Sequence, residues 1–146
     1  MNKVSVFNVA WYVLHKMGEM TTMKLQKLVY YCQAWSLAWD EKPLFDERIE
    51  AWANGPVCPE LFNMHRGRFV IDEEMLSQYS SCEFSKEQID TMDNVLEYYG
   101  VHDSVWLSNL THLEDPWKLA RSGIPNGARC NSEITKESMQ QYYGGL

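Results

Sequence analysis

The segment from residue 23 to residue 39 has the pattern of a long helix that is apolar on nearly every side. At 100° per residue, one face carries the apolar stripe expected of a core-facing helix, formed by Leu25, Leu28, Val29, Cys32, Trp35 and Trp39. The opposite face is also mostly apolar, with Tyr30, Tyr31, Ala34, Leu37 and Ala38. A helix of this kind either lies at the centre of a fold or presents a surface to a partner. We therefore expect a mainly α-helical fold arranged around this segment.

Local start and stop signals predict the other helices. A first helix is expected from about residue 4 to residue 17, and Ser85 with Gln88 has the capping-box pattern that begins another helix. Asp115, which directly precedes a proline, is expected to cap a further helix, and Thr135 to cap the last one. These signals predict six or seven helices around the central apolar helix.

The segment between residues 43 and 57 interrupts the helical pattern. Pro43, Gly55 and Pro56 punctuate it, which favours irregular or extended backbone. We expect a small two-stranded β element formed by the segments near Glu50 and Val70. A chain of 146 residues is long enough to bury a core of its own, so residues 1–146 are predicted to form a single compact domain.

The charge balance limits the classes of partner. Twenty acidic residues against thirteen lysines and arginines give a net charge of −7. Binding to a phosphate backbone depends on Lys and Arg, so direct nucleic-acid binding is not expected. The negative charge favours encounter with a basic protein, although it also serves solubility alone.

The cysteine and hydropathy patterns indicate a soluble cytoplasmic protein. The four cysteines are widely spaced and form no Cys-x-x-Cys pair: Cys32, Cys58, Cys82 and Cys130. Such spacing favours reduced thiols in a cytoplasm. No apolar run reaches the roughly 18–20 residues that span a bilayer, and the first residues lack the apolar core of a signal peptide. No membrane partner is therefore expected.

Several blocks of the chain follow one another in a specific order. They are Lys24-Leu25-Gln26-Lys27-Leu28-Val29-Tyr30-Tyr31, Pro43-Leu44-Phe45-Asp46-Glu47, Ile49-Glu50-Ala51-Trp52, Gly55-Pro56-Val57, Leu107-Ser108-Asn109-Leu110-Thr111-His112, Pro116-Trp117-Lys118-Leu119-Ala120-Arg121, Ile134-Thr135 and Tyr142-Tyr143. This series resembles the Panacea domain, which occurs in phage-associated proteins and in antitoxins of bacterial toxin–antitoxin pairs. The resemblance covers almost the whole chain.

The resemblance implies an interaction protein. Its first implication is an antitoxin that neutralises a cognate toxin by direct protein–protein binding. A second possibility within the same family is a proteolytic adaptor that presents the bound toxin to an ATP-dependent protease complex, which requires a further docking surface.

A Cys/His-dependent hydrolase is the alternative from another class. Cys58 at a predicted helix start and His112 near two carboxylates are the candidates. Cys58 lacks an identifiable base, and the histidines have no second ligand at the spacing of a metal site, so we interpret both residues as structural. We expect no enzyme activity, no catalytic residue, no metal and no cofactor.

The candidate partner-binding residues lie on the central helix and in the turn after residue 51. A large ring beside an Asn-Gly-Pro turn is suited either to an interface or to a lid over the core. The second face of the central helix is too apolar for plain exposure to solvent. The predicted partner-binding residues are Lys27, Tyr30, Tyr31, Trp52, Asn54, Gly55 and Pro56.

Overall fold

The computed structural model describes residues 3–146. The part of the chain that it describes contains seven α-helices and two short antiparallel β elements. The helices are α1 (Val6–Met17), α2 (Thr22–Trp35), α3 (Pro59–His65), α4 (Lys86–Tyr99), α5 (Ser104–Leu113), α6 (Asp115–Arg121) and α7 (Lys136–Gly144). The strands are β1 (Met20–Thr21), β2 (Glu50–Trp52), β3 (Gly55–Val57) and β4 (Val70–Ile71). A 3₁₀-helical segment, Glu73–Tyr79, precedes α4.

The predicted fold class, a compact mainly α-helical domain around a central helix, is confirmed. Helix α2 contacts α1, α4, α5, α7 and β3, and it is buried on both faces. The prediction that one domain spans residues 1–146 includes residues 1 and 2, which lie outside the described residues. None of the helices within residues 3–146 is long and apolar enough to cross a membrane.

The polar residues of α2 are buried as well, and they fix neighbouring loops to the helix. Gln26 accepts a hydrogen bond from the Cys58 backbone N–H at 2.9 Å and donates to the Cys58 carbonyl at 3.3 Å. Gln33 pairs in the same way with the backbone of Leu44 and Phe45. Buried amides that are satisfied by loop backbone hold irregular segments in place without secondary structure.

The end of the central helix differs from the prediction. Residues Ser36–Asp40 continue α2 as a π-helical segment, which turns more slowly per residue than an α-helix. The side chains beyond Trp35 therefore drift away from the core-facing stripe. Trp39, which was predicted on that stripe, is 51% exposed and packs on Trp35 at 4.7 Å between ring centroids.

The β pairing was predicted wrongly. Glu50–Trp52 pairs with the adjacent segment Gly55–Val57 through the two-residue turn Ala53-Asn54, so the partner of β2 is β3. The segment at Val70 instead pairs with Met20–Thr21. A hairpin with a two-residue turn closes locally, and this favours it over the pairing of distant segments.

The helix caps were mostly predictable. Ser85 and Gln88 form the expected capping box, and the Thr135 side chain caps α7. The prediction for Asp115 was wrong, because Glu114 occupies the N-cap position of α6 and Asp115 is already helical. The Glu114 carboxylate makes no cap hydrogen bond and turns into the core instead.

Candidate functional site

Side chains of α5 and α6 donate hydrogen bonds to the backbone at the β2–β3 turn. Trp117 Nε1 donates a hydrogen bond to the carbonyl of Trp52 at 2.9 Å. The Ser108 hydroxyl donates to the carbonyl of Asn54. One carbonyl directly precedes the turn and the other belongs to it, so α5 and α6 fix the position of the turn.

Arg121 is a buried cation that organises the same region. Its guanidinium donates to the carbonyls of Ala51 at 3.0 Å, Pro125 at 2.8 Å and Ala128 at 2.7 Å. It also lies 4.8 Å from the ring centroid of Trp117, within cation–π range. Arg121 thus ties the hairpin to the loop that follows α6.

The predicted turn residues divide into exposed and buried members. Asn54 is exposed and Trp52 is half-buried, with its Nε1 donating to Glu50 at 2.8 Å and its ring edge-on to Phe62. Gly55 and Pro56 are buried in β3, so the expectation that they reach a partner from the surface does not fit the fold. The contact of Trp52 and Asn54 with a partner stays a prediction.

Two clefts flank this turn, and Met23 and Asn54 line both of them. The larger cleft, of about 580 Å³, lies on the β2 side and is lined by Met23, Glu50, Trp52, Ala53, Asn54, Val57, Arg129, Cys130 and Asn131. The smaller cleft, of about 340 Å³, lies towards α5 and is lined by Met23, Lys27, Asn54, Ser104, Val105, Ser108, Asn109 and His112. We call the smaller one the Lys27 cleft.

Lys27 is the buried group of the Lys27 cleft. The residue is 1% exposed, and its Nζ has no hydrogen-bond partner among residues 3–146. Burial lowers the pKa of Lys27 to about 7, because the charged ammonium loses its hydration there. Lys27 was predicted as a partner-binding residue, and its side chain is buried in the fold while the residue lines an open cleft, so contact with a partner through that cleft stays a prediction.

Gly55 is required by the path of the Lys27 side chain. A methyl group in place of the Gly55 hydrogen would lie 2.6 Å from Lys27 Cε and 3.0 Å from Thr111 Oγ1. The φ angle of Gly55 is +121°, which L side chains rarely adopt. The turn backbone therefore lies directly on the lysine stem, and only glycine fits there.

His112 is the second unpartnered polar group of the Lys27 cleft. Its ring stacks on Trp117 at 3.9 Å between centroids, and its Nε2 is buried without a hydrogen-bond partner in the described part of the chain. Burial lowers the pKa of His112, and the charges of Lys27 and Arg121 lower it further. The imidazole is therefore neutral near pH 7.

Tyr30 and Tyr31 form a closed network within the core. The Tyr31 and Tyr143 hydroxyls donate to one oxygen of Glu114 at 2.7 and 2.8 Å, and the Tyr30 and Tyr143 hydroxyls are 2.9 Å apart. Burial raises the pKa of Glu114, although the two tyrosine hydrogen bonds act in the opposite direction. We call these four residues the tyrosine–glutamate cluster.

The tyrosine–glutamate cluster corrects the prediction for the second face of α2. Tyr30, Tyr31 and Ala34 are all buried, because α7 and the Glu114 carboxylate cover them. The face is apolar because it is core, and it cannot present Tyr30 or Tyr31 to a partner in this fold.

Cys58, the candidate nucleophile of the alternative hydrolase, lacks the environment that activates a thiol. Cys58 is buried, and burial raises its pKa to about 11, so the thiol is protonated at neutral pH. His65, on the same short helix, has its Nε2 3.0 Å from the amide nitrogen of Gln26. No cluster of three or more metal-ligating side chains occurs within residues 3–146.

Sequence reasoning missed the roles of Arg121 and Trp117 beneath the turn. Both belong to the block Pro116–Arg121 that carried the resemblance, and that block was the available signal. Their spacing of four residues places them on one helix face, but only the fold shows that this face supports β2.

The family of the chain follows from a comparison with known proteins. The profile of the family described as "Antitoxin SocA-like, Panacea domain" matches residues 25–118, which is more than half of the chain. The chain therefore belongs to the SocA-like antitoxin family with a Panacea domain. The match begins in α2 and ends in α6. It therefore includes the β2–β3 turn, which lies between the two clefts, and the α5 residues of the Lys27 cleft. No curated protein and no solved structure matches the chain.

Proposed function

We propose that this protein neutralises a cognate toxin protein by binding it directly, through the Trp52–Asn54 turn and the two clefts beside it. The observation that carries the proposal is membership of the antitoxin family over residues 25–118. The geometry supports the choice of surface, because half-buried Trp52 and exposed Asn54 both line an open cleft.

Preorganisation of the turn favours tight binding. The carbonyls of Ala51, Trp52 and Asn54 are each held by a side chain of α5 or α6. A loop that is already fixed loses less conformational entropy on association, so more of the contact energy appears as affinity. An aromatic ring in a fixed position is also the usual anchor of a protein interface.

The net charge suggests the character of the partner. At −7, the protein attracts a basic toxin over the range of a Debye length and so increases the association rate. We place this encounter in the cytoplasm, in keeping with four free cysteine thiols. Binding, and not catalysis, is the proposed activity, because the Cys58 thiol is buried and protonated.

The test is a binding and rescue experiment with the product of the adjacent gene. Wild-type protein should restore growth on co-expression and should form a stable complex in calorimetry. Trp52→Ala should weaken the affinity at least tenfold, since truncating an aromatic anchor costs about 2 kcal/mol. Trp39→Ala is the matched control, because Trp39 is exposed at the far end of the central helix from Met23.

Each outcome has a separate meaning. Equal loss of affinity in folded Trp52→Ala and Trp39→Ala would contradict the proposed surface. Failure of the wild type to bind or rescue against any neighbouring gene product would contradict the antitoxin function itself. Rescue that disappears in a host lacking its ATP-dependent protease would indicate an adaptor that delivers the toxin for degradation.

A further inference from the structure

The burial of Lys27 lowers the stability of the folded protein. A buried amine without a hydrogen-bond partner loses its hydration and gains nothing from the fold in return, and such groups are rare in native proteins. An apolar side chain of the same length would avoid this cost. Lys27 nevertheless lines a cleft whose other lining residues are all half-buried or exposed, and its Nζ is buried there without a partner among the described residues.

The lining of the Lys27 cleft is rich in donors and has no carboxylate among its described residues. Asn54, Ser104 and Asn109 are lining residues with amide or hydroxyl side chains, and His112 adds an unpartnered ring nitrogen. An ammonium with donors around it and no internal anion is the arrangement that receives an anion from outside. A water molecule would satisfy one hydrogen bond of the amine but would leave its charge uncompensated.

The charge of the site selects the anion. Among the lining residues, one ammonium group and one neutral imidazole match a single negative charge, and Arg121, outside the lining, has its guanidinium bonded to three backbone carbonyls. A phosphate dianion would leave an uncompensated charge in a half-enclosed cleft, which has a large desolvation cost. A carboxylate carries one charge and offers two acceptor oxygens, enough for the Lys27 Nζ and a second donor, which His112 Nε2 supplies in the tautomer protonated at that nitrogen.

We propose that the Lys27 cleft is a carboxylate-binding site, in which a carboxylate enters between the Asn54 turn and α5 and forms an ion pair with Lys27 Nζ. The inference deepens the proposed function and rests on it only for the source of the carboxylate. That source is either an acidic side chain or C-terminus of the toxin, or a small carboxylic acid. The chemistry is the same in both cases.

Acetate is the probe for the chemistry, and it needs no toxin. In amide NMR spectra of the full-length protein, acetate should produce saturable shifts at Asn54, Ser108 and Thr111. With four non-hydrogen atoms, acetate is expected to bind with a Kd on the order of 1 mM or weaker. Acetamide has the same shape without the charge, and it should produce no such shifts.

The side-chain nitrogen of Lys27 gives a second readout. A ligand that binds only the ammonium form raises its pKa, by about one unit at ten times the Kd. Lys27→Met should abolish the shifts. Lys24→Met is the matched control, because Lys24 lies one turn earlier and donates to the Gly100 carbonyl, outside the cleft. It should bind acetate like the wild type.

Three results would overturn the inference: no shifts with acetate, equal shifts with acetate and acetamide, or equal shifts in wild type and Lys27→Met. The comparison of acetate with acetamide uses only wild-type protein, so it holds even if a variant fails to fold. Stronger shifts with inorganic phosphate than with acetate would also contradict the choice of a carboxylate.

A competition experiment separates the two sources. If acetate weakens toxin binding in proportion to its occupancy of the cleft, the toxin supplies the carboxylate. If acetate binds and leaves toxin affinity unchanged, the carboxylate comes from a small molecule. Acetate binding without any toxin binding would contradict the proposed function alone, and toxin binding without acetate binding would contradict this inference alone.

Discussion

Two polar clusters are buried against α2, and they differ in whether the fold satisfies them. In the tyrosine–glutamate cluster, the three hydroxyls and the Glu114 oxygen bond to one another at 2.7–2.9 Å. In the Lys27 cleft, Lys27 Nζ and His112 Nε2 have no partner within residues 3–146. The first cluster is closed over by α7, whereas the second opens to solvent beside the turn.

The difference distinguishes a structural role from a binding role. A closed hydrogen-bond network contributes to the stability and uniqueness of a core, and the hydroxyl protons of this cluster are already donated within it. Unpartnered buried groups lower stability, and they retain hydrogen-bonding capacity that only an external group can use. Tyr30 and Tyr31 therefore stabilise the core, and Lys27 is the residue for which we propose a binding role, although all three lie on one helix.

Of the substitutions that test this difference, Glu114→Ala should change the free energy of unfolding most. In Glu114→Ala, the hydroxyls of Tyr31 and Tyr143 lose their shared acceptor inside the core. We expect the free energy of unfolding to fall by about 3 kcal/mol, measured by urea denaturation. Glu114→Gln keeps an oxygen acceptor and removes a charge that burial disfavours, so it should remain close to wild type. Equal losses in both variants would show that the charge, and not the acceptor, stabilises the cluster.

Lys27→Met should change the free energy of unfolding less than Glu114→Ala and in the opposite direction. The substitution replaces an unpartnered buried amine by an apolar side chain of similar length, so the free energy of unfolding near pH 7 should rise by about 1–2 kcal/mol. Lys24→Met removes a 2.7 Å hydrogen bond to the Gly100 carbonyl and should instead cost about 1 kcal/mol. Destabilisation of Lys27→Met would mean that the amine has a partner in the folded protein.

The shifted pKa of Lys27 should make the stability of the protein depend on pH. Its pKa is about 7 in the folded chain and 10.5 without the fold. Between these values the unfolded state holds a proton that the folded state has lost, so stability rises with pH, by on the order of 1 kcal/mol per pH unit. Urea unfolding at pH 7, 8 and 9 should show this rise for wild type relative to Lys27→Met.

The neighbouring titrations do not mask this effect. Burial lowers the pKa values of His65 and His112 below 6.5, so both histidines are neutral throughout the window. Groups that titrate above pH 7, such as the half-buried thiols of Cys82 and Cys130, are the same in both proteins and cancel in the difference. Parallel stability curves for wild type and Lys27→Met would show that Lys27 is not desolvated in the folded protein.

Much of the fold could be predicted because its signals are local. The caps at Ser85 and Thr135 depend on a side chain and an amide three residues later, and both are present. The pairing of Val70–Ile71 with β1 could not be predicted, since it joins segments about fifty residues apart that carry no cross-strand signature.

The site was only partly predictable for the same reason. The turn at Trp52 and Asn54 follows from local residue types, and its location near solvent is confirmed for Asn54. Burial of Tyr31 depends on Glu114, which lies 83 positions later in the chain. The sequence predicts Lys27 as a partner-binding residue, and it holds no sign that Gly55 covers the lysine side chain.

The most direct test of the account compares toxin affinity in two folded variants of α2. Calorimetry at pH 7 should show that Lys27→Met binds the toxin at least tenfold more weakly than wild type, a loss of about 1.4 kcal/mol. Tyr31→Phe, which removes one hydroxyl of the tyrosine–glutamate cluster, should bind like wild type and lose only stability. Wild-type affinity in Lys27→Met together with reduced affinity in folded Tyr31→Phe would contradict the assignment of the two clusters.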